Sequence, residues 1–138
     1  MKKIFSISVL VLFLFSFLFS GVQMFTLFPS AQISSATTTY STEVSVGNYV
    51  EMTIFLDLTA QGAYTDETMD VYVQTRSPSG NWVDLTDTSF TEVGNKTGSL
   101  PFLDELSIEG FGSLVRLRIV TAGSSVSYTI EFTTYVKK

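Results

Sequence analysis

The sequence predicts an all-β fold, an antiparallel β-sandwich or jelly-roll-like domain preceded by an N-terminal hydrophobic helix. Two observations predict the sheets. Apolar and polar residues alternate with a period of two through most of residues 39–138. Turn-forming stretches rich in Gly, Ser, Pro and Asn separate these segments at spacings of about 8–12 residues. A third observation predicts the helix, because residues 4–28 form one apolar run without a charge.

Residues 1–28 are predicted to form the hydrophobic helix. Lys2 and Lys3 precede 25 uncharged residues, which would extend about 37 Å as a helix. The hydrocarbon core of a bilayer is about 30 Å thick, so residues 4–28 are long enough to span a membrane and contact lipid. Because positive residues stay on the cytoplasmic side, the chain after Phe28 is predicted to face outward.

Two other interpretations of this segment stay open. It has the positive start and apolar centre of a secretory signal peptide, with a small-x-small motif at Ser34-Ser35-Ala36. Cleavage after Ala36 would release a secreted domain, although the length of the apolar run favours retention as an anchor. The remaining interpretation is a helix that packs against its own copies, as in the core of a filament.

Residues 29–38 are predicted to be an extended linker. The stretch is small, polar and uncharged, and Pro29 ends any helix near Phe28. An alternative is that residues 33–46, which are rich in Thr, Tyr and Val, form a strand donated to a neighbouring copy.

Residues 39–138 are predicted to be the β-domain, with four long strands that each bury one face. In the first, the even positions from Val50 to Leu58 are apolar and alternate with polar residues such as Glu51 and Asp57. The same pattern recurs in MDVYVQTR, SLVRLRIV and VSYTIEFTTYV. The predicted core residues are Val50, Met52, Ile54, Leu56, Leu58, Met69, Val71, Val73, Val115, Leu117, Ile119, Val126, Tyr128, Ile130, Phe132 and Val136.

Shorter strands and tight turns complete the predicted domain. SPSGN is predicted to be a tight turn, and TAGSS is predicted to join the last two long strands as a hairpin. Trp82 follows the first turn, and we interpret it as a core side chain that closes one end of the sandwich, in preference to an exposed platform for sugars. The predicted short strands are Thr39–Val46, Trp82–Leu85, Phe90–Val93 and Leu106–Ile108.

The composition excludes several classes of function. The chain has no cysteine and no histidine, so disulfides, Ser-His-Asp or Cys-His catalysis and the usual zinc sites are impossible. We therefore expect no enzymatic activity, no cofactor and no small-molecule ligand. The net charge of −5 disfavours binding to nucleic-acid phosphates. Acidic residues near one predicted turn, Asp66, Glu67 and Asp70, are interpreted as a solvated rim in preference to a calcium site.

Outward-facing aromatic and basic residues form the predicted interaction surface. Arg116 and Arg118 project from one strand face and can pair with acidic neighbours across the sheet or bind an anionic partner. Asn95 begins an N-x-[ST] sequence in a turn and is a candidate glycosylation site. Aromatic side chains on the polar strand faces would form an interface with a neighbouring subunit if they gather in one place. These aromatic candidates are Tyr49, Phe55, Tyr72 and Tyr135.

Several short motifs follow one another between residues 48 and 138, namely DLTA at 57–60, MDVYVQ at 69–74, SPSG at 77–80, WVDL at 82–85, FTEV at 90–93 and a hairpin from Arg116 to Phe132. In this order they resemble the pattern of small β-sandwich virion proteins, of the decoration and minor capsid kind, from tailed phages and related viruses. The resemblance implies a structural, surface-exposed role without catalytic residues. Ser79 stands where that pattern has an acidic turn residue, and the hydrophobic N-terminal segment is not part of the pattern.

These features together predict a non-enzymatic structural protein whose β-sandwich is anchored in a membrane and faces outward, as a minor or membrane-associated component of a virion. The predicted partners are membrane lipid, further copies of the chain and other structural proteins. The alternative function is a cell-surface module, secreted or anchored, that forms filaments or binds glycans.

Overall fold

The computed structural model describes residues 21–91 and 93–138, which contain nine β-strands. These residues include no helix, and hence none that is long and apolar enough to cross a membrane. The strands are β1 (Val22–Ile33), β2 (Thr37–Tyr40), β3 (Val44–Ser45), β4 (Glu51–Gln61), β5 (Thr68–Arg76), β6 (Trp82–Phe90), β7 (Phe102–Glu109), β8 (Leu114–Ala122) and β9 (Tyr128–Lys137).

The strands form two antiparallel sheets. The four-stranded sheet has the order β1-β9-β4-β7, and the five-stranded sheet has the order β2-β8-β5-β6, with the short β3 also paired to β8. The predicted all-β antiparallel class is therefore confirmed, and the arrangement is consistent with a β-sandwich. The hairpin predicted at TAGSS is wrong, because β8 and β9 lie in different sheets and this turn carries the chain from one to the other. Turn residues indicate a change of direction, but they do not specify which strands pair.

The core lies between the two sheets. Alternation along β4, β5, β8 and β9 turns every second side chain inward, where its apolar surface is removed from water. The ring of Phe90, from the five-stranded sheet, lies 5.9 Å from the ring of Phe132, from the four-stranded sheet, measured between centroids. The largest fully buried side chains are Tyr128, Phe132, Leu27, Met52, Ile54, Leu56, Leu58, Met69, Leu117, Ile119, Ile130 and Val46.

The predicted core residues are buried, with the exception of Val50. Its side chain is 60% exposed because β4 begins one residue later, at Glu51. The amide of Val50 donates instead to the carbonyl of Lys137, at 2.9 Å, and closes the end of the sheet. Alternation therefore predicts which face is buried, but it does not predict where a strand begins.

The shorter strands also differ from their predicted bounds. The strand predicted at Thr39–Val46 is divided into β2 and β3, and the strand predicted at Leu106–Ile108 extends over Phe102–Glu109. The strand predicted at Trp82–Leu85 extends to Phe90 as β6, and the separate strand predicted at Phe90–Val93 shares only its first residue with β6. An irregularity in its register with β5, between the partners of Tyr72 and Gln74, interrupts the alternation that a sequence pattern relies on.

The predicted end of the hydrophobic helix at Phe28 is corrected by β1. Residues 22–28 are extended and pair with β9, and Leu27 is fully buried in the core. The stretch VQMFTLF is apolar at most positions, so it shows little alternation and reads as a continuation of the apolar run before it. The part of the helix prediction that falls on residues 1–20 lies outside the described residues.

The linker predicted at residues 29–38 is corrected as well, because most of it belongs to the sheets. β1 continues to Ile33, which is buried, and β2 begins at Thr37. Cleavage after Ala36 would therefore remove an edge strand that forms nine registered residue pairs with β9. The alternative prediction was that residues 33–46 form a strand donated to a neighbouring copy. The structure differs, because β2 and β3 lie in this range and pair with β8 of the same chain.

The tight turn predicted at SPSGN is confirmed. The amide of Gly80 donates to the carbonyl of Ser77 at 2.9 Å, and the amide of Ser77 donates to the carbonyl of Asn81 at 2.8 Å. Gly80 has a φ of 90°, a conformation that glycine adopts without steric cost. The turn joins β5 directly to β6 and places Trp82 opposite Arg76 on the outer face of the five-stranded sheet.

Candidate functional site

An arginine–aromatic ladder lies on the outer face of the five-stranded sheet. The alternation that buries one face of β8 turns its two arginines outward. Cross-strand register then places Arg118 between Tyr40 on β2 and Tyr72 on β5, so that these side chains are neighbours. The ladder, as the name is used below, consists of Tyr40, Tyr72, Trp82, Arg116 and Arg118.

Arg116 lies between two aromatic rings. Its guanidinium carbon is 4.2 Å from the ring centroid of Tyr40 and 4.2 Å from that of Trp82. Its Nε donates a 2.9 Å hydrogen bond to the side-chain oxygen of Gln74. Within the described part of the chain it forms no ion pair with a carboxylate. The two rings and Gln74 thus fix the plane of the guanidinium.

Arg118 is held by a carboxylate and a ring. Its Nη2 lies 2.5 Å from Oδ2 of Asp84, and its guanidinium carbon lies 4.2 Å from the ring centroid of Tyr72. Gln74 donates a 2.8 Å hydrogen bond to the other carboxylate oxygen of Asp84. The hydrogen bond from Arg118 lowers the pKa of Asp84, against a smaller opposing effect of burial, and raises the pKa of Arg118 itself. Unlike Arg116, Arg118 therefore has its charge compensated within the chain.

Trp82 and Tyr40 are the ladder residues whose role the sequence did not predict. Trp82 is partly exposed and stacks on Arg116 outside the core, so its interpretation as a core side chain is wrong. The physical reason is the register across the SPSGN turn, which puts Trp82 on the same face as the outward residues of β5. Tyr40 is 49% exposed. Its outward position follows from pairing with β8, a long-range contact that a strand pattern does not indicate.

A stripe of apolar side chains crosses the outer face of the four-stranded sheet. It runs from Met24 on β1 through Tyr135 on β9 and Phe55 on β4 to Leu103 on β7. The rings of Phe55 and Tyr135 meet edge to face, with centroids 5.7 Å apart and planes at 89°. Phe55 and Leu103 line one side of an open depression of about 340 Å³. Met24, Tyr135 and Leu103 are 58%, 46% and 69% exposed, so the stripe lies open to solvent.

Carboxylates surround this apolar stripe. On this face of the described residues the single basic side chain is Lys137, which pairs with Glu51 at 3.0 Å. One carboxylate oxygen of Asp57 is buried and has no hydrogen-bond partner among the described residues. The acidic face, as the name is used below, combines the apolar stripe with Glu51, Asp57, Glu105, Glu109 and Glu131.

The six residues predicted to form one interface occupy three places. Tyr49 lies between β3 and β4, where its hydroxyl donates to the side-chain oxygen of Gln23 and its ring centroid is 6.0 Å from Nζ of Lys138. The other five separate onto the two sheet faces, so the candidates gather into two distinct surfaces. The ladder contains Tyr72, Arg116 and Arg118, and the acidic face contains Phe55 and Tyr135.

Glu67 anchors a loop, and its interpretation as part of a solvated rim is wrong. Its side chain is buried at the start of β5, although Glu is rarely buried without partners. The carboxylate accepts backbone hydrogen bonds from Thr65 at 2.5 Å, from Asp66 at 3.2 Å and from Ser125 at 3.1 Å. It therefore ties the loop before β5 to the turn between β8 and β9. These amides lie outside the strands and take the carboxylate as their acceptor, which explains its position.

The free energy of unfolding is expected to fall as the pH drops below about 5, in part through Glu67. Backbone hydrogen bonds, the strongest from Thr65, lower the pKa of Glu67 against the opposing effect of burial. A carboxyl whose pKa is lowered in the folded state stabilises the fold fully above its unfolded pKa, and this contribution is lost as the pH falls through the folded pKa. Thermal melts at several pH values should show Glu67→Gln less stable at pH 7 and less sensitive to acid.

The matched control for this prediction is Glu43→Gln, which changes an exposed carboxylate between β2 and β3. Its acid profile is expected to follow that of the unmodified protein. Equal acid sensitivity of the Glu67 and Glu43 variants would contradict the anchoring role of Glu67.

Asn95, the predicted glycosylation site, is exposed in the loop between β6 and β7. Its side-chain oxygen accepts hydrogen bonds from the amide of Thr97 at 3.1 Å and from the hydroxyl of Thr97 at 2.7 Å. Its modification stays a prediction.

Comparisons with known proteins identify similar folds and no family. No family model matches the sequence, and no curated protein matches it. Among solved structures, the chain is similar to VP2 of infectious bursal disease virus in a subviral particle, with a TM-score of 0.62 and 16% identity over 83% of this chain and 31% of that chain. It is also similar to the T=1 particles derived from that virus, with a TM-score of 0.61 and 14% identity over 83% of this chain and 30% of that chain.

A further similar structure is tripeptidyl peptidase 2, with a TM-score of 0.54 and 11% identity over 85% of this chain and 10% of that chain. The present chain thus spans about a third of the VP2 chains and a tenth of the peptidase. At these identities the similarity shows the fold alone, and the function must be argued from the surfaces of this chain.

Proposed function

We propose that this protein is a non-enzymatic structural component that self-associates, and that it serves as a minor or membrane-associated part of a virion. The observation that carries the proposal is the presence of two exposed, aromatic-rich surfaces on the outer faces of opposite sheets. Exposed apolar and aromatic groups of this kind are typical of interfaces. Because the two surfaces lie on opposite sides of the core, each copy has room to contact two neighbours.

The strand order supports the virion part of the proposal. If β2 and β3 are counted as two parts of one strand, eight strands form two four-stranded sheets, with the first strand beside the last. This is the order of a jelly roll, a fold used in viral capsid domains and also in lectins. VP2, the protein of similar fold, was solved as a particle. A shell-forming role therefore fits the architecture.

The membrane part of the proposal depends on the sequence before the described residues. Because residues from Val22 onward form β1, lipid contact or an export signal concerns residues 4–20 in place of 4–28. Lys2 and Lys3 would stay on the cytoplasmic side of the membrane, so the β-domain would lie on the outer side.

Self-association is tested on the protein purified after export from a host cell, with or without the processing that export causes. We expect light scattering after size exclusion to show oligomers that dissociate on dilution. Leu103→Ser, at a 69% exposed position of the acidic face, should weaken association and leave the melting temperature nearly unchanged. Val83→Ser, at a 51% exposed position outside both surfaces, is the matched control. A chain that stays monomeric at every concentration would contradict the proposal.

A further inference from the structure

The outer faces of the two sheets differ in charge. The acidic face carries five carboxylates and one basic side chain, Lys137, within the described residues. The outer face of the five-stranded sheet carries Arg76, Arg116 and Arg118 against Asp70 and Asp84. One face is thus strongly negative, while the other carries all three arginines of the chain.

The two faces also match in the kind of residue at their centres. Phe55 and Tyr135 meet edge to face on the acidic face, and Trp82 and Tyr40 enclose Arg116 on the other. Aromatic residues and arginine are the groups enriched at the cores of protein interfaces. Each face therefore offers aromatic side chains, with carboxylates predominating on one face and the arginines lying on the other.

The area of a sheet face is sufficient for a specific contact. Four strands spaced about 4.8 Å apart, each presenting about eight residues at roughly 3.3 Å, cover on the order of 500 Å² in projection. Two such faces together approach the roughly 1,000 Å² that separates specific interfaces from incidental ones. Because side chains protrude from the sheet, the accessible area of each face is larger than this projected area.

We propose that the acidic face of one copy docks on the arginine–aromatic ladder of the next copy, in a head-to-tail contact. This inference rests on the proposed function, because it names the surfaces through which the protein self-associates. Arg116 supplies the uncompensated cation, and the carboxylates around Phe55, above all Glu105 and Glu131, supply the anions. A contact between two different faces leaves one free face at each end, so that it repeats into a ring or a filament.

A second copy explains more of the surface than an anionic sugar does. A sugar acid would account for Arg116 and its rings, but it would leave the acidic face and its exposed apolar stripe without a partner. Copies of an acidic protein repel each other on average, so a local match of opposite charges is needed for them to meet. The contact is therefore expected to weaken as salt screens these charges.

The test uses two variants of the exported protein and their mixture. Arg116→Glu reverses the charge at the ladder, and the pair Glu105→Lys with Glu131→Lys reverses two charges on the acidic face. Each variant alone should associate at least about tenfold more weakly than the unmodified protein. Mixed together, the two variants should associate again, as one-to-one dimers or larger species, because each variant keeps one unmodified face for the other. Gly98→Lys, which adds a positive charge at an exposed position of the loop between β6 and β7 where an added side chain meets no neighbour within 4 Å, is the control.

The outcomes separate this inference from the proposed function. If the unmodified protein associates and Arg116→Glu associates equally well, the ladder is not the interface, and self-association through other surfaces stands. If neither variant self-associates alone and the mixture does not associate either, the head-to-tail pairing is overturned. If Arg116→Glu loses binding to sialylated or sulfated glycans while self-association is unchanged, the occupant of the ladder is a glycan. If the unmodified protein is monomeric throughout, the proposed function and this inference fail together.

Discussion

A chain that begins at residue 37 is expected to lose its fold, because it lacks β1. This strand supplies nine registered pairs to β9 and places Leu27 and Ile33 in the core. Each large apolar side chain contributes about 1.5–3 kcal/mol when buried. Without β1, β9 also becomes an edge strand with an uncovered row of backbone groups. The summed loss is of the order of the whole 5–15 kcal/mol that stabilises a typical domain.

The measurement compares chain 37–138 with chain 21–138 by far-ultraviolet circular dichroism and thermal melting. We expect a cooperative transition for the longer chain and none for the shorter one. Equal melting temperatures would contradict the role of β1. The intact mass of the exported protein gives a second check, since any processing is expected to leave Val22 and all residues after it in place.

Phe132→Ala is expected to lower the free energy of unfolding by about 3–5 kcal/mol, the usual cost of removing a buried aromatic ring. Phe132 is fully buried at the middle of β9, between Phe28 on β1 and Leu56 on β4, and its ring lies against that of Phe90. Truncation removes contacts with both sheets and leaves a cavity that neighbouring strands cannot fill without losing register. Urea denaturation measures the change as a lower midpoint at an unchanged slope.

Phe55→Ala is the matched control for this prediction, since it makes the same substitution on the outer face of the same sheet. Phe55 is partly exposed and packs on Tyr135, so its loss is expected to cost less than about 1.5 kcal/mol. It should weaken self-association instead. A cost at Phe55 equal to that at Phe132 would mean that the outer face is structural and would count against its role as an interface.

The central strands were predictable because each one buries a single face. In β4, β5, β8 and β9 a strict alternation records the position of the core residue by residue, as Ile54 and Leu117 illustrate. The turn at Gly80 was predictable for a similar reason, since its backbone conformation favours one residue type. These features are local, and a local pattern is sufficient to specify them.

The remaining features depend on contacts between distant residues. β1 was missed because its first half is apolar on both faces, and only its pairing with β9 distinguishes it from a helix. The ladder required knowledge that β2, β5, β6 and β8 are neighbours, which no single strand records. Glu67 was misinterpreted because its partners include the amide of Ser125, 58 residues away along the chain. The sequence therefore indicates which kinds of residue form the candidate surfaces, but it does not indicate where on the folded domain these residues gather.

The start of β1 also changes the argument about the apolar segment before it. With residues from Val22 onward in a sheet, the uncharged run from Ile4 to Ser20 contains 17 residues. A helix of this length would reach about 25 Å, less than the roughly 30 Å of a hydrocarbon core. The length now lies closer to the apolar centre of a signal peptide than the 25-residue run did. Length alone no longer favours retention.

The pairing of β1 with β9 determines how the domain would respond to mechanical force. The amide of Lys138 donates to the carbonyl of Gly21 at 2.9 Å, so residues 21 and 138 leave the sheet side by side at one edge. Hydrogen bonds between antiparallel strands lie perpendicular to the strands. Tension applied through residues 21 and 138 would therefore act along these bonds and break them one at a time. An assembly that must withstand stretching would therefore transmit the load through the broad faces of the sheets and spare the two ends.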